Sequence, residues 1–195
     1  AIRAGGVSTF KDIAVYVRVN AGSATSNTVL YLVTTYPTEA AQISSPSAND
    51  AFVLSIGSLD AIAITIDWTD GVLASDLGID VNYTIQAAAA GTDFASPFII
   101  GTSTNGTSIT ATHSDLNAIA IGIGLTADVA GDMEIRIIAK NTNENGNVLE
   151  RVSDVVTISV TSFSVSFPYL YMVGDAATPG WDNNNNNTPI FRDQN

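Results

Sequence analysis

Residues 61–70 read AIAITIDWTD, and residues 81–87 read VNYTIQA. In the first stretch Ile62, Ile64, Ile66 and Trp68 share one parity, while Ala63, Thr65 and Asp67 share the other. In the second, Val81, Tyr83 and Ile85 share a parity. Successive side chains of a strand point to opposite faces, so alternation with one apolar face predicts half-buried antiparallel strands.

The same pattern recurs outward in both directions. DIAVYVRV (12–19) places Ile13, Val15, Val17 and Val19 together, MEIRIIAK (133–140) places Met133, Ile135 and Ile137 together, and VVTISV (155–160) does so with Val156, Ile158 and Val160. Turn-forming clusters SSPSAND (44–50), GTSTNGTS (101–108) and KNTNENGN (140–147) separate the strands. Several short strands at this spacing predict an all-β protein, an antiparallel β-sandwich of about seven strands. HSDLNAIAIGIGL (113–125) departs from alternation: Leu116, Ile119 and Ile123 fall near helical spacing, with Ser114 or Asp115 placed to cap. A short helix crossing between strands is expected there, weakened by two glycines.

An internal repeat organises the chain. DIAVYVRVNAGSATSNTVLYLVTTY (12–36) matches DMEIRIIAKNTNENGNVLERVSDVVTISVTSF (132–163), Asp12 aligning with Asp132 and Tyr36 with Phe163. The length difference falls in the polar loop between the strands, where insertions are best tolerated. The second copy closes a sandwich that starts near residue 37. Residues 1–36 are therefore expected to be the C-terminal hairpin of an upstream domain, residues 37–164 the complete sandwich, and residues 165–195 the start of a downstream module. A rival arrangement inserts residues 1–36 into the central sheet as extra strands.

Composition narrows the function. The chain has 195 residues, 46% hydrophobic and 13% charged, with a net charge of −12 and seven Lys plus Arg. A phosphate-binding surface needs clustered cations, so nucleic acid is excluded as a partner, and so is an anionic membrane face. There are no cysteines, hence no disulfide framework and no thiolate metal site. No apolar run approaches the about 20 residues of a membrane span.

The ordered set of motifs resembles the SusE/SusF-type surface glycan-binding lipoproteins encoded with SusC/SusD-like uptake systems. SSPSANDAFVLS (44–55) resembles that family's opening strand, ITIDWT (64–69) its Trp strand, and VNYTIQAAAAGTDF (81–94) its Tyr strand with a turn and Phe94. ITATHSDLNAIAIGIGL (109–125) is similar to the Leu-Asn segment with its small helix, and MEIRIIAK (133–140) with SDVVTISVTSF (153–163) to the closing hairpin. PYLYMVGDAATPGWD (168–182) is similar to the opening of the carbohydrate-binding modules that follow. The resemblance implies a tandem immunoglobulin or fibronectin-III-like arrangement and a non-catalytic glycan-binding accessory protein. It also implies the outward face of the outer membrane, reached through a lipid anchor outside these residues. Implied partners are a polysaccharide or oligosaccharide and a SusC/SusD-like transporter complex. A structural stalk or adhesin and the accessory region of a secreted glycoside hydrolase are the alternative readings.

Individual residues bear on the choice. Trp68 and Tyr83 share parity with apolar neighbours and are expected in the core. Trp181 follows Gly180 in a turn with no burying pattern, and a rigid aromatic ring there could stack on the C–H face of a sugar, so it is the candidate carbohydrate-binding residue. His113 is the only histidine, and HSD on adjacent positions cannot form a catalytic triad. No catalytic residue, metal site or cofactor is expected. Asp67, Asp70, Asp76 and Asp80 could offer oxygens to calcium, but they lack the spacing of a calcium loop and read as solvated loop carboxylates. Glu39, Glu134, Glu144 and Glu150 are not paired across a cleft as glycosidase chemistry requires.

Overall fold

A computed structural model describes residues 10, 12–34, 37, 39–72, 77–164, 170–171 and 189–190. The chain divides into two compact units, Ala1–Phe163 and Ser164–Asn195. Within the second unit, β14 (Leu170–Tyr171) pairs antiparallel with β15 (Pro189–Ile190).

The first unit begins with a hairpin. β1 (Asp12–Val17) pairs antiparallel with β4 (Val29–Thr34), and inside its loop β2 (Asn20–Ala21) pairs with β3 (Ala24–Thr25). Among the described residues β1 and β4 pair with each other and with no strand of the central sheets. β5 (Gln42–Ser45) follows, then a cis Ser45–Pro46 bond, then β6 (Ala51–Val53). These two short strands join different sheets, so the chain crosses the sandwich at Pro46.

Next come β7 (Ile62–Thr69), β8 (Val81–Ala89), β9 (Phe98–Thr104), β10 (Ser108–Thr112), helix α1 (His113–Gly122), β11 (Ala130–Thr142), β12 (Val148–Val152) and β13 (Val156–Thr161). One sheet has the order β10-β7-β5, and the other β6-β13-β11-β8-β9, with β12 also paired to β11. All these pairings are antiparallel except β6 with β13, which is parallel. The fold is an all-β sandwich.

Its core is built from the predicted parities. Ile64, Ile66 and Trp68 of β7 face Val81, Tyr83 and Ile85 of β8, Met133, Ile135 and Ile137 of β11, and Ile158 and Val160 of β13 in one cluster. Burying each such side chain contributes roughly 1.5–3 kcal/mol. Trp68 and Tyr83 meet edge to face across the two sheets, ring centroids 5.2 Å apart, so both are core residues as expected. Ile62 is the exception on its face: it sits beyond a register shift at Ala111/Thr112 and is exposed.

The closing segment holds more than two strands. The far half of β11 pairs with β12 through Ile138↔Val152, and its near half with β13 through Ile135↔Val156. Between the two ladders Ser153 stands in for a paired residue: its N–H donates to Ile137 O at 2.9 Å, and its Oγ accepts from Ile137 N at 2.8 Å. Helix α1 occupies the expected segment, but its N-cap is Thr112, not Ser114 or Asp115. Asp115 completes a capping box by accepting from Thr112 N–H, while its own N–H donates to Thr112 Oγ1.

Candidate functional site

A buried ion pair of the sandwich includes Asp70, which was read from sequence as solvated, and that reading is overturned. Asp70 follows β7 and is buried, its side chain fully shielded and that of Arg151 on β12 only 4% exposed. Arg151 Nη1 donates to Asp70 Oδ1 at 2.6 Å and Nη2 to Oδ2 at 2.8 Å. Tyr83 Oη donates to Oδ2 at 2.9 Å, and Val72 N to Oδ1 at 2.9 Å. Arg151 Nη1 also donates to the carbonyl of Glu39 at 2.9 Å. Burial pushes the Asp70 carboxyl up, but hydrogen bonds from Arg151, Val72 and Tyr83 outweigh it and hold it below the usual carboxylate range. Burial and the neighbouring Asp70 charge push the Tyr83 phenol well above its ordinary value. This arrangement clamps β7, β8, β12 and the segment before β5; its opposite charges neutralise one another, while Arg151 Nε is left without a partner. It is a structural site.

Of the other aspartates of that stretch, Asp67 and Asp80 do not converge on it. Asp80 is exposed and accepts from Asn105 Nδ2 at 2.7 Å, Asp67 is half-buried on β7, and Asp76 lies outside the described residues. Among the described residues no group of three or more His, Cys, Asp or Glu is placed to hold a metal ion. His113 opens α1, and its Nδ1 accepts from Ser55 N at 3.2 Å. Trp181, the candidate sugar platform, lies outside the described residues.

A cavity of about 170 Å³ lies at the foot of the first hairpin, walled by Phe10, Asp12, Leu77, Ile79, Asn143 and Glu144. Asp12 opens β1, and its carboxylate accepts from Thr34 Oγ1 and from Asn145 Nδ2. Asn143 begins the turn between β11 and β12. Its Oδ1 accepts from Asn145 N at 3.1 Å and Asn147 N at 2.9 Å, and its buried Nδ2 has no partner. From sequence, KNTNENGN signalled only a turn; the number of asparagines in it was the available hint that side chains organise the loop.

The family described as SusE outer membrane protein matches residues 30–138, more than half of the 195 residues. The chain belongs to the SusE outer membrane protein family. The matched span runs from β4 into β11 and holds Trp68, Asp70, Tyr83 and Asn117, while Arg151 lies beyond it. None of the curated proteins matches this chain. Family membership makes it an outer-membrane protein of the Sus type. Among the described residues no helix of this SusE-family protein is long and apolar enough to cross a membrane.

Two residues were missed from sequence. Arg151, a lone cation in the apolar run VLERV, is a signal of a buried partner that strand parity alone does not reveal. Asn117 is buried on α1 and binds both backbone groups of Phe163: Nδ2 donates to its carbonyl at 3.2 Å, and its N–H donates to Oδ1 at 2.7 Å.

Proposed function

We propose that this SusE-family chain is a non-catalytic accessory protein of glycan uptake at the cell surface, held there by a lipid anchor. In this reading the sandwich is a stiff spacer that presents carbohydrate-binding modules near a SusC/SusD-like transporter. The observation that carries the reading is the family match over residues 30–138. The strand order, with β6 running parallel to β13 at the end of one sheet, supports an immunoglobulin or fibronectin-III-like assignment. Capture would come from aromatic stacking and hydrogen bonds, with several weak sites gaining avidity through linkage. Trp181 is the candidate platform in this chain, in the module assigned to residues 165–195. The hairpin of β1 and β4 is assigned to a neighbouring unit of the same kind. Its exposed Val17, Val19 and Tyr31 match Ile137, Ala139 and Ile158, which the β11–β13 segment buries in its own core.

Calorimetric titration of the protein with a panel of soluble polysaccharides tests this, with Trp181→Ala measured beside it. Binding is expected for at least one polysaccharide, weakened at least about tenfold by the substitution. Equal affinity of the two proteins removes Trp181 from the site. Absence of binding by the protein, both alone and with a SusC/SusD-like complex, removes the glycan reading and favours a structural stalk.

A further inference from the structure

The turn between β11 and β12 carries an Asn-Gly pair, Asn145–Gly146, and the sequence holds another at Asn105–Gly106. Glycine has no Cβ to shield its nitrogen, so in such a pair the backbone nitrogen reaches the asparagine side-chain carbonyl carbon. Attack there forms a C–N bond and breaks the bond to the side-chain nitrogen. That nitrogen leaves as ammonia, taking the proton of the glycine N–H. Water then opens the resulting cyclic imide at either carbonyl, giving an aspartate or an isoaspartate.

The structure separates the two pairs. Asn105 is held from outside its own turn: Oδ1 accepts from Val81 N at 2.8 Å, Nδ2 donates to Asp80 Oδ1 at 2.7 Å, and its N–H donates to Val81 O at 2.9 Å. Ser103 Oγ also crowds Gly106, standing 2.7 Å from where a Cβ would be. Asn145 and Gly146 are exposed, and nothing lies within 4 Å of the corresponding point at Gly146. Their backbone ties stay inside the turn, Asn145 N to Asn143 Oδ1 at 3.1 Å and Gly146 N to Asn143 O at 2.9 Å. Opening that one turn frees the attacking nitrogen, whereas freeing Asn105 parts the β9–β10 turn from the start of β8.

The reaction at Asn145 has a structural consequence. Asn145 Nδ2 donates to the carboxylate of Asp12, which opens β1, so this side chain ties the sandwich loop to the foot of the first hairpin. Among the described residues β1 and β4 pair with no strand of the central sheets, so little ladder pairing supplements the tie. Conversion removes the donor and sets a second carboxylate against Asp12, where like charges repel. An isoaspartate also lengthens the backbone between the two amides, of Asn145 and Asn147, that Asn143 Oδ1 holds.

We infer that Asn145–Gly146 is a self-modifying latch: with water as the only co-reactant, its conversion to aspartate or isoaspartate releases the β1–β4 hairpin from the sandwich. The latch stands whether or not the protein binds glycan.

The test is incubation of the 195-residue protein in mildly alkaline buffer, with digestion and mass spectrometry of the peptides carrying the two pairs. Conversion at Asn145 is expected at least about fivefold faster than at Asn105, the factor that one further hydrogen bond to open gives. Asn145→Gln keeps an amide donor but closes the imide ring poorly, and should remove the product at that position. Asn145→Asp supplies one product directly, at an exposed position where the fold is kept. NMR order parameters of the β1 and β4 amides should fall from about 0.85 in the starting protein towards about 0.6 in Asn145→Asp. The inference is overturned if neither pair converts or if Asn105 converts as fast as Asn145. Equal order parameters for β1 and β4 in the starting protein and in Asn145→Asp overturn it as well.

Discussion

Arg151 and Asp70 are 81 residues apart in sequence, yet the guanidinium of one holds both carboxylate oxygens of the other, at 2.6 and 2.8 Å. The parallel fork of an arginine matches a carboxylate geometrically, and here it does so out of reach of water. Removing one partner of such a pair leaves the other charge buried and alone, at a cost of about 3–5 kcal/mol. Arg151→Ala should therefore lower the unfolding free energy by about that amount in urea at neutral pH, with the denaturant slope unchanged. A loss below about 1 kcal/mol would mean that water reaches Asp70 in solution.

The same network sets the response to pH, and its two titrating members act at opposite ends. Asp70 has its folded pKa held below the ordinary 3.8, so its ionised form adds stability above that value and loses it as pH falls through the folded pKa. Asp70→Asn should thus differ most from wild type near neutrality, and the gap should narrow as pH drops below about 4. Tyr83 has its folded pKa raised above 10.0, so the unfolded chain loses this proton first. Stability should fall as pH rises above 10.0, and Tyr83→Phe should lose less over that range. Thermal unfolding across pH, followed by circular dichroism, reads both arms.

Asn117 explains the Leu-Asn pair inside the helix. Leu116 goes into the core, and the adjacent side chain pairs with the backbone of Phe163 as a strand would, tying α1 to the end of β13. Asn117→Ala leaves the part-buried N–H and C=O of Phe163 without this partner and should cost about 1–3 kcal/mol. Asn117→Asp keeps the acceptor for Phe163 N–H but sets a carboxylate against the carbonyl, and should be no better. Hydrogen exchange at the Phe163 amide is the specific readout. Its protection should fall in Asn117→Ala by more than global destabilisation explains.

How far the fold was legible depends on which signals are local. Alternation through Ile64, Ile66 and Trp68, and again through Met133, Ile135 and Ile137, located the sheets and the inward faces, because strand parity is a property of neighbours in sequence. The helix followed from the break in that pattern, though its cap did not. Thr112 belongs to β10 by parity, and its capping role appears only once Asp115 reaches back to it. The division of the last segment into β12 and β13 was hidden because Ser153, which bridges the two ladders, looks like any turn residue. Which polar residues pair with which was not legible. Asp70 meets Arg151, and Asn143 lines a cavity with Asp12, across separations that carry no periodic signature.

The repeat supplies the sharpest contrast, because two aligned strand pairs meet different fates. Asp12 corresponds to Asp132, and Tyr31 to Ile158, yet Tyr31 is 54% exposed and Ile158 fully buried. The pairings differ too: Val15 faces Tyr31, whereas its counterpart Ile135 faces Val156, a shift of two residues. Side chains alternate with period two, so this shift leaves every residue on its original face. The hairpin of β1 and β4 thus keeps the inward parity of a core strand pair while Val17, Val29 and Tyr31 of that face stand in solvent. Ile158→Ala should cost about 2–5 kcal/mol, as deletions in a packed core do. Tyr31→Thr, which keeps a good strand former, should stay within about 0.5 kcal/mol. Urea unfolding of both variants reads the difference. A loss above about 2 kcal/mol for Tyr31→Thr would show that the hairpin face is packed in solution, as Ile158 is in the sandwich.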